Sequence, residues 1–241
     1  MVAASISQAV YFRQEREDEY MRRIKKYDKS TVDLFPEMLA ELVLEYEENG
    51  CHDVLGELYM ELEMYNKWTG QYFTPAHIAS AMSKLTEPSK NEIESEIERQ
   101  GFIKVCDPAC GSGVMLIEYA NNCKELGINY QKDVLFVAVD IDSIVALMCY
   151  IQMSLLGMPG IVCIANTLSG KPYGEPESRW FTPMYITSGF VWRKQKSAAP
   201  VPNGDIKPHN VAETATLVPN VGENPEISRE TDGGQFEIIF D

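Results

Sequence analysis

Basic residues are scarce in this chain: 21 Lys+Arg stand against 36 Asp+Glu, a formal net charge of −15 and a pI of about 4.7. Phosphate backbones are held by clustered Lys and Arg, so a broad basic face for nucleic acid is disfavoured. Two short basic groups interrupt the acidity, Arg22, Arg23, Lys25, Lys26 and Lys29 near the start and Arg193, Lys194 and Lys196 late, and both read as solvated faces. No apolar run approaches the ~20 residues of a membrane-spanning helix, and the first residues lack the charged and apolar regions of a signal peptide. The expectation is a soluble, cytoplasmic protein with no membrane contact. Cysteine numbers six in 241 residues, too thinly spread for a disulfide framework, and the close pair Cys106 and Cys110 has no partner pair or His cluster near it. They read as buried, reduced thiols, and no metal site is expected.

What is present divides the chain into three. Residues 1–68 read as a helical N-terminal segment. Leu34 to Asn49 carries apolar residues at Leu34, Met38, Leu39, Leu42 and Leu44 with Gly50 placed to stop the helix, and Leu55, Leu58, Tyr59 and Leu62 recur at helical spacing. Residues 197–241 read as a flexible tail rich in Pro, Asn, Gly, Glu and Thr, in which Phe236, Ile238, Ile239 and Phe240 form a weak candidate strand or docking motif.

Residues 69–196 change character. Phe102 to Cys106 and Val134 to Val139 are continuous apolar runs, each closed by an aspartate, as suits strands buried on both faces of a parallel sheet. Val114 to Leu126 and Ser143 to Leu156 read as helices, and Ile161 to Ala165 as a third strand. This alternation predicts the first half of a doubly wound α/β sheet.

Three elements within it carry chemistry. Asp107-Pro108-Ala109-Cys110-Gly111-Ser112-Gly113 follows a strand and precedes a helix, where Gly111 and Gly113 allow a sharp turn and close approach to a ligand. A dinucleotide fingerprint would need glycine at position 116, which is Leu116, and no Gly-Lys-Ser/Thr marks a P-loop. Asp140, at the end of the next strand in Val139-Asp140-Ile141-Asp142, suits a carboxylate accepting from both ribose hydroxyls, or else a helix cap, a role Asp142 or Ser143 fills equally well. Upstream, Gly70-Gln71-Tyr72-Phe73-Thr74-Pro75 ends in a Thr-Pro helix start, a geometry that also receives carboxylates.

In this order the three motifs resemble the S-adenosylmethionine (SAM) motifs of N6-adenine DNA methyltransferases, especially modification subunits of type I restriction systems and their phage relatives. The resemblance spans roughly Leu55 to Leu168. It implies a Rossmann-like SAM-dependent methyltransferase fold in a truncated form, with DNA as substrate. Thr74, with Tyr72 and Phe73, would line the methionine end. Asp107, Ala109, Gly111 and Gly113 would form the turn against the amino-acid moiety, and Asp140 and Ile141 would hold ribose and adenine. Asn166 stands where the family usually has an acidic residue near the adenine.

Catalysis in that family uses an Asn/Asp/Ser-Pro-Pro-aromatic motif after the fourth strand, yet the sequence contains no Pro-Pro pair. The nearest text, Asn224-Pro225-Glu226, lies in the tail. Trp180 to Trp192 occupies the region of a modified fourth strand, though its aromatics read better as core, and no catalytic residue is assigned. The resemblance therefore implies a SAM-dependent adenine-N6 methyltransferase, with recognition supplied by a partner subunit. The alternative is a non-catalytic SAM-binding accessory or restriction-related subunit.

Overall fold

Val134 to Asp140 is a strand buried along nearly its whole length, and the rest of the domain is arranged around it. In the computed structural model, which describes residues 1–64, 73–86, 88–169, 173–175 and 178–193 and the short strands 226–227 and 238–239, it is β2 of a four-stranded sheet. β1 (Ile103–Asp107), β2 (Val134–Asp140) and β3 (Gly160–Ile164) are parallel, with Val105 opposite Phe136 and Val137 opposite Ile161. Side chains alternate along a strand, so a strand with two apolar faces needs cover on both. Val134, Phe136 and Ala138 pack against helices α7 (Val114–Glu125) and α9 (Ser143–Leu155); Leu135, Val137 and Val139 pack among Tyr11, Phe102, Phe181, Tyr185 and Phe190.

The fourth strand departs from expectation. β4 is only Arg179–Phe181 and runs antiparallel on β3, with Val162 opposite Trp180. A doubly wound sheet would add its fourth strand beside β1; among the described residues β1 has no strand on that side. Met184 to Trp192 is not a strand at all. Pro183–Thr187 is a short helix, α10, and Phe190–Trp192 a 3₁₀ turn. Thr182 caps α10 through its hydroxyl and Pro183 takes the first helical position, a local start signal that overrides the apolar run. The aromatics here are packing groups: Phe181 and Phe190 are buried, and Trp180 lies beneath Arg16, whose guanidinium carbon is 3.8 Å from the ring centroid.

Among the described residues six helices precede the sheet: α1 (Val2–Gln8), α2 (Gln14–Ile24), α3 (Lys29–Asn49), α4 (Val54–Glu61), α5 (Ala76–Thr86) and α6 (Lys90–Gln100). Gly50 ends α3 with φ of 79°, where glycine has no Cβ penalty. α1, α3 and α6 share the core of the sheet through Ala3, Tyr46 and Ile93. Ala3 is buried in the α7–α9 cluster, and Arg16 hydrogen-bonds Ser7 Oγ and the Arg179 carbonyl oxygen, tying α1 and α2 to β4. One more short helix, α8 (Tyr130–Asp133), leads into β2. The chain from residue 194 onward lies outside the described residues apart from β5 (Glu226–Ile227) and β6 (Ile238–Ile239), an antiparallel pair, so the expected flexible tail is largely outside them too. Among the described residues no helix is long and apolar enough to cross a membrane.

α4 is joined to α9 by buried polar contacts. Asp53 Oδ1 accepts from the Gly56 N–H (3.0 Å) and from Gln152 Nε2 (2.7 Å), and Asp53 Oδ2 accepts from Ser112 Oγ (2.5 Å). Gln152 also donates to the Ser112 carbonyl (2.8 Å), while its Oε1 accepts from Tyr46 OH (2.7 Å) and the Leu55 N–H (3.0 Å). All four hydrogen-bonding positions of the Gln152 amide are filled, so a polar side chain with no exposure carries no unsatisfied group. Gly56 is where the backbone comes close: a Cβ there would lie 2.1 Å from Asp53 Oδ2 and 2.4 Å from Ser112 Oγ. Gly→Ala inside an open helix stabilises by ~1 kcal/mol. Here the sign reverses, and Gly56→Ala is expected to destabilise by about 1–3 kcal/mol, as overpacking does, measured as a lower urea midpoint at unchanged m-value.

Candidate functional site

The carboxyl ends of β1 and β2 meet at a turn built from the Asp107–Gly113 segment. Asp107 closes β1, and its Oδ1 accepts from the Ala109 N–H at 3.0 Å, which starts the turn. The Cys110 N–H donates to the Val139 carbonyl (2.9 Å), continuing the ladder past the end of the strand, and the Gly113 N–H closes back on the Cys110 carbonyl (2.8 Å). Gly111 and Gly113 have φ of 53° and 101°, the left-handed region that side chains disfavour. At Gly113 a Cβ would also lie 2.8 Å from Cys149 Sγ, so this glycine lets α7 begin hard against α9.

Asp140 fastens the turn from the other strand. Its Oδ2 accepts from the Gly111 N–H and its Oδ1 from the Asp142 N–H, each at 2.9 Å. Capping of α9 falls to Asp142, whose Oδ1 accepts from the Ile144 N–H at 2.8 Å, so Asp140 is not the cap. A carboxylate oxygen has room for two donors, and each oxygen of Asp140 is given one here, which leaves acceptor capacity toward the cleft. Burial pushes the Asp107 carboxyl up from its ordinary value; the Ala109 N–H opposes that shift and the Asp140 charge adds to it.

Between these groups lies a cleft of about 200 Å³ lined by Phe73, Thr74, Asp107, Ala109, Gly111 and Asp140, with Cys110, Ser112, Val114, Met115 and Val145 completing its wall. Sites that enclose a whole drug-sized ligand run to roughly 300–1,000 Å³, so the described residues enclose only part of one. Phe73 stacks on Tyr59, ring centroids 5.4 Å apart, and a Cβ on Gly111 would meet the Phe73 ring at 3.4 Å. The missing side chain at Gly111 is thus part of the space. Thr74 lines the cleft just ahead of α5, which starts at Ala76 and has the Pro75 carbonyl accepting from the Ile78 and Ala79 N–H groups.

Not every residue singled out from the sequence is in that wall. Ile141 is 70% exposed beside Asp140, Gly113 faces Cys149, and Asn166 spends its Oδ1 on the Leu168 N–H in a local turn. Tyr72 lies outside the described residues. Met115 and Val145 line the cleft although no motif marked them, since only packing places them there, and Ser112 joins them from within the Asp107–Gly113 motif without having been assigned a role. Among the described residues no group of His, Cys, Asp or Glu is arranged to hold a metal ion.

The profile of the N-6 DNA Methylase family matches residues 51–182, more than half of the chain and including every element of the cleft. The chain belongs to that family. Neither the curated proteins nor the solved structures yield a match. SAM, which the family implies, fits the donor set of this N-6 DNA methylase cleft: two carboxylates suit a ligand that brings hydroxyl and ammonium donors, and Gly111 leaves its approach open.

The raised Asp107 carboxyl gives a signed prediction. A group whose folded-state pKa lies above its unfolded value opposes folding once ionised; that opposition is relieved as pH falls through the folded-state value and is gone below the unfolded value near 3.8. Asp107→Asn, which keeps the side-chain oxygen that accepts from Ala109, should therefore melt higher than wild type at neutral pH. The gap should shrink as the pH is lowered toward that value and be closed below it.

Proposed function

We propose that the cleft binds SAM and that the chain, as a Rossmann-like SAM-dependent methyltransferase, serves methylation of the N6 amino group of adenine in DNA. The observation that carries this reading is the placement of Asp107 and Asp140 on either side of a turn whose Gly111 keeps the ligand side open. Asp140 accepts hydrogen bonds from the ribose hydroxyls, using the lone pairs that Gly111 and Asp142 leave free. Asp107 faces the ammonium group of the amino-acid end, and Ala109 and Gly111 bring backbone within reach of it. Phe73 and Thr74 border the methionine end, and the exposed Ile141 offers apolar surface to the adenine ring. Tyr72, Gly113 and Asn166 remain second-line candidates, outside the described wall. Bound SAM supplies an electrophilic methyl group. The protein's part is orientation: holding donor and acceptor in line converts a bimolecular encounter into a positioned one.

DNA is the substrate class the family implies, and a chain with net charge −15 calls for basic surface from a partner subunit to hold the phosphate backbone. A second reading, a SAM-binding accessory subunit without catalysis, is favoured by one feature. The 241 residues contain no Pro-Pro pair, and the aromatics at Phe181 and Phe190 are buried in the sheet core.

Titration calorimetry tests the shared premise. SAM should bind wild type, and Asp140→Ala and Gly111→Val should each weaken binding roughly tenfold or more, since the first removes a charged acceptor and the second fills the cleft. Unchanged affinity in both variants contradicts the assignment. Transfer of labelled methyl to unmethylated DNA, with candidate partner chains supplied, then separates the two readings: incorporation into adenine supports the enzyme, and none with SAM binding intact supports the accessory subunit.

A further inference from the structure

We infer that Asp53 is a positioning residue for the cofactor cleft, acting through Ser112 to hold the glycine turn in its ligand-ready shape. Asp53 stands 59 residues ahead of Ser112, as the N-cap of α4, and does not line the cleft itself. Ser112 lies between Gly111 and Gly113, both with positive φ. Glycine populates many backbone states, so a Gly-Ser-Gly turn left to itself is loose. Three contacts remove that freedom. Asp140 holds the Gly111 N–H from the cleft side, Asp53 Oδ2 accepts the Ser112 hydroxyl at 2.5 Å, and Gln152 Nε2 donates to the Ser112 carbonyl at 2.8 Å.

The last two form one unit, because the same Gln152 nitrogen donates to Asp53 Oδ1 at 2.7 Å. Asp53 is 4% exposed and Ser112 1% exposed, so neither bond competes with solvent. The backbone of Gly56 closes over the pair, leaving no room even for a methyl group. A carboxylate buried at this depth is costly unless its acceptors are filled, and all three donors it receives come from the turn, from Gln152 and from the start of α4. Ordering the turn before the ligand arrives lowers the entropy that binding must supply. The N-terminal helices thereby enter the cofactor site without touching the ligand.

The affinity part of this inference rests on the SAM reading of the cleft; the ordering part does not. Ser112→Ala removes the hydroxyl link and leaves the other bonds of Asp53 in place. Amide hydrogen exchange at Gly111 and Gly113 in the unliganded protein should quicken about tenfold, and the SAM Kd should rise about tenfold, the size expected for one hydrogen bond to a charged group. Asp53→Asn, equal in size but neutral, should move both readouts the same way. Thr182→Val is the stability control. Its buried hydroxyl donates to the Met158 carbonyl and accepts from the Gly160 N–H at the opposite end of the sheet. That variant should lower Tm while leaving turn exchange and Kd within about twofold. If neither Ser112→Ala nor Asp53→Asn alters exchange in the turn, or if Thr182→Val alters it equally, Asp53 is a structural residue only and the inference fails. Absence of SAM binding to wild type would count against the cofactor reading, while the exchange comparison would still decide the role of Asp53.

Discussion

Two carboxylates grip the turn between β1 and α7 from opposite sides. Asp140, at the end of β2, takes the Gly111 N–H; Asp53, ahead of α4, takes the Ser112 hydroxyl. The positive φ angles of Gly111 and Gly113 are sustained by that double hold, and the start of α7, its closeness to α9 and the open side of the cleft all follow from it. Gln152 links the grip to the rest of the domain, since its single amide contacts the turn, Asp53, α3 through Tyr46 and α4 through the Leu55 N–H. A shift of the N-terminal helices would therefore be felt where the ligand sits.

Burial raises the Asp107 carboxyl, and the charge of nearby Asp140 adds to that shift. Such an arrangement is unfavourable in the empty protein and is relieved by a ligand that brings hydrogen-bond donors and positive charge. The N-6 DNA methylase family supplies a context in which that relief has a use. The open side of β1 and the antiparallel β4 on β3 show how far this sheet, over its described residues, departs from a fully doubly wound one.

The centre of the fold was legible because burial on both faces leaves a direct trace. Val134 to Val139 is apolar without a break, and Asp107 and Asp140 mark the carboxyl ends where the cleft forms. Gly50, read as a stop signal, and Asp142, one of the residues open as the cap of the following helix, act through local geometry and do not need the rest of the chain. Legibility ended where an apolar run meets a competing local signal or where tertiary packing decides. Met184 to Trp192 is apolar enough for a strand, but the Thr182-Pro183 start makes its first part helical. The Thr74-Pro75 start ahead of α5 was equally local, whereas α6 leaves little trace although Ser89 and Glu92 have capping-box spacing, because it buries only Ile93 and shows almost no apolar stripe. Nothing local joins Asp53 to Ser112. Asn166 looked poised by its place after β3, yet its side chain serves the turn to Leu168.

The central claim is that one cleft, bordered by Asp107, Gly111 and Asp140, takes the SAM moiety. Backbone amide shifts recorded while S-adenosylhomocysteine is added test it most directly, because they locate the ligand without requiring methyl transfer. Saturable shifts concentrated at Phe73–Thr74, at Asp107–Met115 and at Asp140–Val145 are the predicted result. Shifts confined to other elements, or none at millimolar ligand, would contradict the account.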